Sequence, residues 1–142
     1  MIIHSFLYNK LNNMRILLLL FFVSALLQVN AQSMADMTSE ASSQFDIADK
    51  NLNTAYKDLL MEYKDYPNFI EKLKNAQKLW IKYRDALIDM QFPSNEPTLD
   101  YGSMYSLCLL DYKTELTNNR TKELLNYMKY EEGEGCVGGP VD

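Results

Sequence analysis

Hydrophobic positions recur along this chain at helical intervals, in three runs separated by clear breaks. In the first run Phe45, Ala48, Leu52, Ala55, Leu59 and Tyr63 follow steps of three and four. That spacing is the apolar stripe of an amphipathic helix. Ser39 and Ser42 are candidate N-caps near its start. Pro67, in "KDYPNF", breaks the pattern and suits the first turn of the next helix. The second run carries Phe69, Leu73, Ala76, Trp80, Tyr83, Leu87 and Met90, and the third Leu107, Leu110, Thr114, Thr117, Thr121, Leu124 and Met128. Between them lies "FPSNEPTLDYGS", a loop marked by Pro93, Pro97 and Gly102. No segment alternates with the period of a strand. The pattern predicts an all-α fold: a small bundle of three main helices, with room for an extra short helix in the 92–104 loop.

Ahead of the first run the pattern changes. Met14 and Arg15 precede an apolar stretch from Ile16 to Leu27, interrupted only by Ser24, and Val29-Asn30-Ala31 follows. A positive start, an apolar centre and a small-residue site make a secretory signal peptide over residues 1–31. The stretch falls short of the ~20 apolar residues that span a bilayer, so no stable membrane insertion is expected once the leader is removed. Met14 alone opens a complete leader, which makes residues 1–13 a candidate upstream start. The expected location is exported, periplasmic or secreted. At the other end, four of the five glycines fall in "EEGEGCVGGPVD". Residues 131–142 therefore read as a flexible Gly-rich tail, and residues 32–130 as the domain.

Composition narrows the function. Beyond residue 31 the chain keeps 12 of its 14 Lys and Arg and all 19 Asp and Glu, a net charge of −7. An acidic domain has no electrostatic basis for binding nucleic acid and favours encounter with cationic partners. The only histidine, His4, lies in the leader. Without a histidine the domain lacks the usual general base and the usual activator of Ser or Cys nucleophiles. Its two cysteines, Cys108 and Cys136, have no metal-ligand spacing. No metal, no cofactor and no enzymatic activity are expected. Export makes a disulfide available to the two cysteines.

The most individual passage is "NAQKLWIKYRDALIDM", residues 75–90, with the only tryptophan. Gln77, Trp80 and Arg84 are three and four residues apart and share one side of the second helix. Two readings follow. Trp80, Tyr83 and Arg84 form a recognition patch, or Trp80 is a core residue braced by an ion pair from Arg84 to Asp49 on the first helix. A partly buried pair of that kind would couple the two helices.

The segments "ADKNLNTAYKDLL" (48–60), "AQKLWIKYRDA" (76–86), "GSM" (102–104) and "LTNNRTKEL" (116–124) together resemble the LprI-like lysozyme-inhibitor family, in the expected order over about residues 45–126. The shared patterns are D-x-x-L-N, A-Q-x-x-W-x-x-Y-R-D and T-x-x-R-T-x-E-L. The resemblance implies an exported, helical, non-catalytic protein, and a lysozyme-like hydrolase as a protein partner. It marks Trp80, Tyr83, Arg84, Asp85 and Arg120 as candidate binding residues, and Asp49, Leu52, Asn53, Gln77 and Thr117 as structural ones. A structural or accessory envelope domain is the alternative role. Family members usually carry a cysteine two residues after Y-R-D-A and another five residues before the threonine of T-x-x-R. Here those positions hold Ile88 and Tyr112. Cys108, one turn before Tyr112, is expected to be a small core residue; if it is bonded within the chain, Cys136 is its only choice. Oligomeric state is left open.

Overall fold

The computed structural model describes residues 2–129, with side chains described for Met14, Arg15 and residues 33–129. The tail from residue 130, including Cys136, lies outside them, as do the side chains of most of the leader. The chain divides into two compact units, Met1–Met37 and Thr38–Asp142. The first unit consists of the N-terminal part of helix α1 (Ile2–Glu62). The second holds the remainder of α1, α2 (Pro67–Gln91), a short α3 (Pro97–Tyr101) running into a 3₁₀ turn at Gly102–Met104, and α4 (Tyr105–Tyr127). There is no strand among the described residues. The expected all-α bundle is present, and the short helix in the 92–104 loop with it. Among the described residues no helix is long and apolar enough to cross a membrane.

The expected N-caps are not used. Helix α1 runs through Ser39 and Ser42 without interruption. Residues 1–66 contain neither proline nor glycine, so nothing in the local chemistry stops the helix before Pro67 approaches. At that break the Tyr66 N–H bonds the Tyr63 carbonyl at 3.0 Å, and Pro67 opens α2 at its first turn. Helix α2 closes where the Phe92 N–H reaches the Ile88 carbonyl at 3.0 Å, directly before Pro93. Gly102 joins α3 to the 3₁₀ turn at φ 69° and ψ −161°, a conformation open essentially to glycine alone.

The core of the second unit is narrow. Leu52, Ala55 and Leu59 of α1 and Tyr63, just past its end, meet Leu73 of α2 and Leu124 of α4. Leu59 and Leu124 are wholly inaccessible, and each stabilises the fold by about 2 kcal/mol through burial. The α1 stripe thus faces inward along its length, with Phe45 half-buried at its start beneath the Lys113 ammonium, 4.4 Å from the ring centre. Leu107, Thr117 and Leu124 form the buried line of α4. Two sets of rings finish the unit. Phe69 packs edge-on against Tyr63 at 4.9 Å and Tyr127 at 6.1 Å, and the Tyr63 hydroxyl donates to the Tyr127 carbonyl at 2.7 Å. Phe92 collects Tyr101, Tyr105 and Tyr112 at 5.4–6.4 Å.

Two expectations fail here. Ala76, Tyr83 and Met90 are exposed on α2, where the inward line is instead Leu73, Gln77, Trp80, Arg84 and Leu87. Cys108 is exposed, and unbonded among the described residues, so it is not a core residue. Its neighbour Leu107 takes the buried position, and one residue of helix turns the next side chain by about 100°. Whether Cys136 approaches it lies outside the described residues.

Candidate functional site

The inward line of α2 is apolar at Leu73 and Leu87 but carries Gln77 and Arg84 on either side of Trp80. Such a line needs polar partners: α4 supplies one for Gln77, and α2 itself one for Arg84. Arg120 reaches across from α4, its Nε donating to Gln77 Oε1 at 3.0 Å and its Nη1 to Glu123 Oε2 at 2.9 Å. The same guanidinium lies 5.9 Å from the Trp80 ring centre. The Arg84 guanidinium lies 5.4 Å from that ring. One indole thus carries two cations, an arrangement that the negative face of the ring favours.

The two arginines differ in what anchors them. Arg120, with its side chain only 12% exposed, is tied to two helices. Arg84 instead bonds its own neighbour, with Nε and Nη2 on Asp85 Oδ1 at 2.9 and 2.7 Å. The expected Arg84–Asp49 pair does not form. Asp49 accepts from Asn53 Nδ2, on its carboxylate at 2.8 Å and its carbonyl at 2.9 Å. An acceptor adjacent in sequence and an amide one turn along the same helix satisfy both groups locally, which removes the drive for a bridge between helices.

The predicted residues therefore sort into four places. Gln77, Trp80, Arg84, Asp85 and Arg120 come together where α2 meets α4. Asp49 and Asn53 form a separate hydrogen-bonded pair on α1, beside the buried Leu52. Thr117 is wholly buried, and its hydroxyl has no partner among the described residues. By contrast Thr114 and Thr121 bond carbonyls one turn back, at 2.8 and 3.0 Å. Tyr83 stands apart, exposed on the outer side of α2. The cluster presents two half-exposed carboxylates, Asp85 and Glu123, each already bonded to an arginine.

Beside the cluster a cleft of about 150 Å³ lies between α2 and α4, lined by Phe69, Lys72, Leu73, Ala76, Arg120, Leu124 and Tyr127. Arg120 belongs to both cluster and cleft. Sequence reading missed Glu123, Phe69 and Tyr127 here. Glu123 was accessible to it, because three residues after Arg120 is the helical spacing of an ion pair and the glutamate stands in the T-x-x-R-T-x-E-L pattern. Among the described residues there is no group of three or more His, Cys, Asp or Glu able to hold a metal ion.

The second unit is thus a small helical bundle with a preorganised indole–guanidinium–carboxylate cluster on one seam. The chain belongs to the lysozyme inhibitor LprI family: the family model described as "Lysozyme inhibitor LprI" matches residues 28–124, more than half of the chain. Comparison with curated proteins and with solved structures returns no match for either.

Proposed function

We propose that this is an exported, non-catalytic binding protein that inhibits a lysozyme-like hydrolase. In this reading residues 1–31 are a leader and residues 32–130 the working domain. The observation that carries the reading is the family match over residues 28–124, which contains the whole Trp80 cluster. Chemistry on the same seam supports it. Asp85 and Glu123 project carboxylates that are more than half exposed, while the guanidinium groups behind them are mostly buried. Anchored acidic groups beside a partly apolar cleft suit a cationic protein surface, and a net charge of −7 beyond the leader speeds encounter with one. Rigid placement lowers the ordering cost of association.

The test is lysis of a cell-wall suspension by lysozymes of different classes, with the purified protein added in increasing amounts. A saturable fall in lytic rate is expected, accompanied by a complex in calorimetric titration. Arg120→Ala and Asp85→Lys should weaken both, the second without loss of helix content. Complete absence of binding and inhibition with every class removes this reading. Binding to peptidoglycan without inhibition would move the protein to the accessory envelope role.

A further inference from the structure

Helix α2 carries a second apolar stripe that its own bundle does not use. Leu79, Tyr83, Ala86 and Met90 recur at steps of four and three, and all four are exposed; Ala76, the preceding step, lines the cleft against α4. Leu79 retains 54%, Tyr83 62% and Met90 67% of its accessible surface. The stripe lies about a quarter turn from the inward line of Leu73, Trp80 and Leu87, given about 100° per residue. An apolar seam repeating every 3.5 residues over about three turns is the pattern of a two-stranded helical contact. Isolated exposed apolar residues are ordinary, but a continuous seam marks an interaction surface.

Charge along the seam indicates what covers it. Lys82 stands directly before Tyr83, and Asp89 directly before Met90, seven residues apart on the same flank. Neither makes an ion pair among the described residues. The flank is thus basic in one half and acidic in the other. A parallel pairing of two copies would bring lysine level with lysine and aspartate level with aspartate. An antiparallel pairing reverses one copy and sets Lys82 beside the partner's Asp89, twice by symmetry. With the two-fold axis near residues 84–85, Leu79 meets the partner's Met90 and Tyr83 meets the partner's Ala86. The charge pairs centre between residues 85 and 86, an axial offset of about 3 Å from the apolar layers, which the long lysine side chain spans, so both are compatible with one register.

We infer that a second copy of this chain covers the stripe, giving an antiparallel two-fold dimer through α2. The inference goes beyond the inhibitor reading and does not depend on it. The contact spans about three turns of one helix and falls below the low end of specific interfaces, about 1,200 Å² in total. The dimer is accordingly weak and concentration-dependent.

Sedimentation equilibrium over two decades of concentration tests this on the protein purified in the form that accumulates on expression from Met1. A monomer–dimer equilibrium is expected. Tyr83→Lys should weaken it by more than tenfold with an unchanged helical spectrum, because Tyr83 is exposed on its own bundle. Lys82→Asp should weaken it by about tenfold by placing acid against acid. Adding Asp89→Lys to that variant should restore the original dimer, since every pair is then reversed in sign. A chain that stays monomeric throughout overturns the inference, as does a dimer indifferent to Tyr83→Lys. Failure of the double exchange to restore association overturns the antiparallel register. If Tyr83→Lys abolishes hydrolase binding in a strictly monomeric protein, the stripe belongs to that partner and the dimer is refuted.

Discussion

Arg120→Ala is the substitution that most directly tests the Trp80 cluster. Four contributions are lost. The charged hydrogen bond to Gln77 is partly buried and contributes about 1.5 kcal/mol. The cation–π contact at 5.9 Å lies near the outer limit of that interaction and adds about 0.5 kcal/mol. The pair with Glu123 is screened, because that carboxylate is largely exposed, and adds about 0.3 kcal/mol. Packing of the arginine stem against the cleft brings the total to about 2–3 kcal/mol. For a domain of this size the fall in Tm is on the order of 10 °C. Urea unfolding of Arg120→Ala, Gln77→Ala and the double variant measures it, with a coupling of about 1 kcal/mol expected between the two sites. Arg84→Ala should cost only about 1 kcal/mol, its carboxylate partner being exposed and adjacent. Arg84 and Asp49 should be additive within about 0.3 kcal/mol. The reasoning fails if Arg120→Ala costs under about 0.5 kcal/mol, or if Arg120 and Gln77 prove additive while Arg84 and Asp49 couple.

Three further outcomes can be measured in the same way. Trp80→Ala should destabilise by about 2–4 kcal/mol, below the full range for a deleted core aromatic because the indole is only partly buried against the core; a shift under about 1 kcal/mol in a urea titration would place it outside the packing. Thr117→Val should raise stability by about 1 kcal/mol by removing a buried hydroxyl that has no partner among the described residues. A loss of stability instead would reveal a bonded water or acceptor at that site. Gly102→Ala should cost about 1–3 kcal/mol from backbone strain alone, since open space surrounds the added methyl, and a neutral thermal melt would contradict the positive φ.

Periodicity made α1 and α4 legible because each has a single apolar stripe, and Leu52, Leu59, Leu107 and Leu124 fall where the spacing puts them. Helix α2 was harder. It has two stripes a quarter turn apart, and a three-and-four rule drawn through Phe69 and Leu73 crosses from one to the other at Ala76. Only the packed neighbours decide which stripe faces inward, and they select the line containing Gln77 and Arg84. The start of α1 was misplaced because a serine is a cap only where the helix has reason to begin. Spacing points Arg84 toward Asp49 although Asp85 lies beside it, because pairing between helices depends on their register, which spacing within one helix does not encode. The Arg120–Gln77 bond crosses 43 positions of sequence for the same reason, yet both residues stood in the family patterns.

The bond from the Tyr63 hydroxyl to the Tyr127 carbonyl joins positions 64 residues apart, at the ends of α1 and α4. Its consequence lies in the order of synthesis. When α1 leaves the ribosome, its face of Leu52, Leu59 and Tyr63 has nothing to cover it. Helix α2 covers part, and Leu124 arrives only with the last helix. A growing chain is therefore unable to close its core before nearly all of it has been translated, and it stays threadable until then. Closing so long a loop carries an entropic cost that grows only logarithmically with length, so the final docking of α4 is delayed by waiting for the chain and not by a prohibitive barrier.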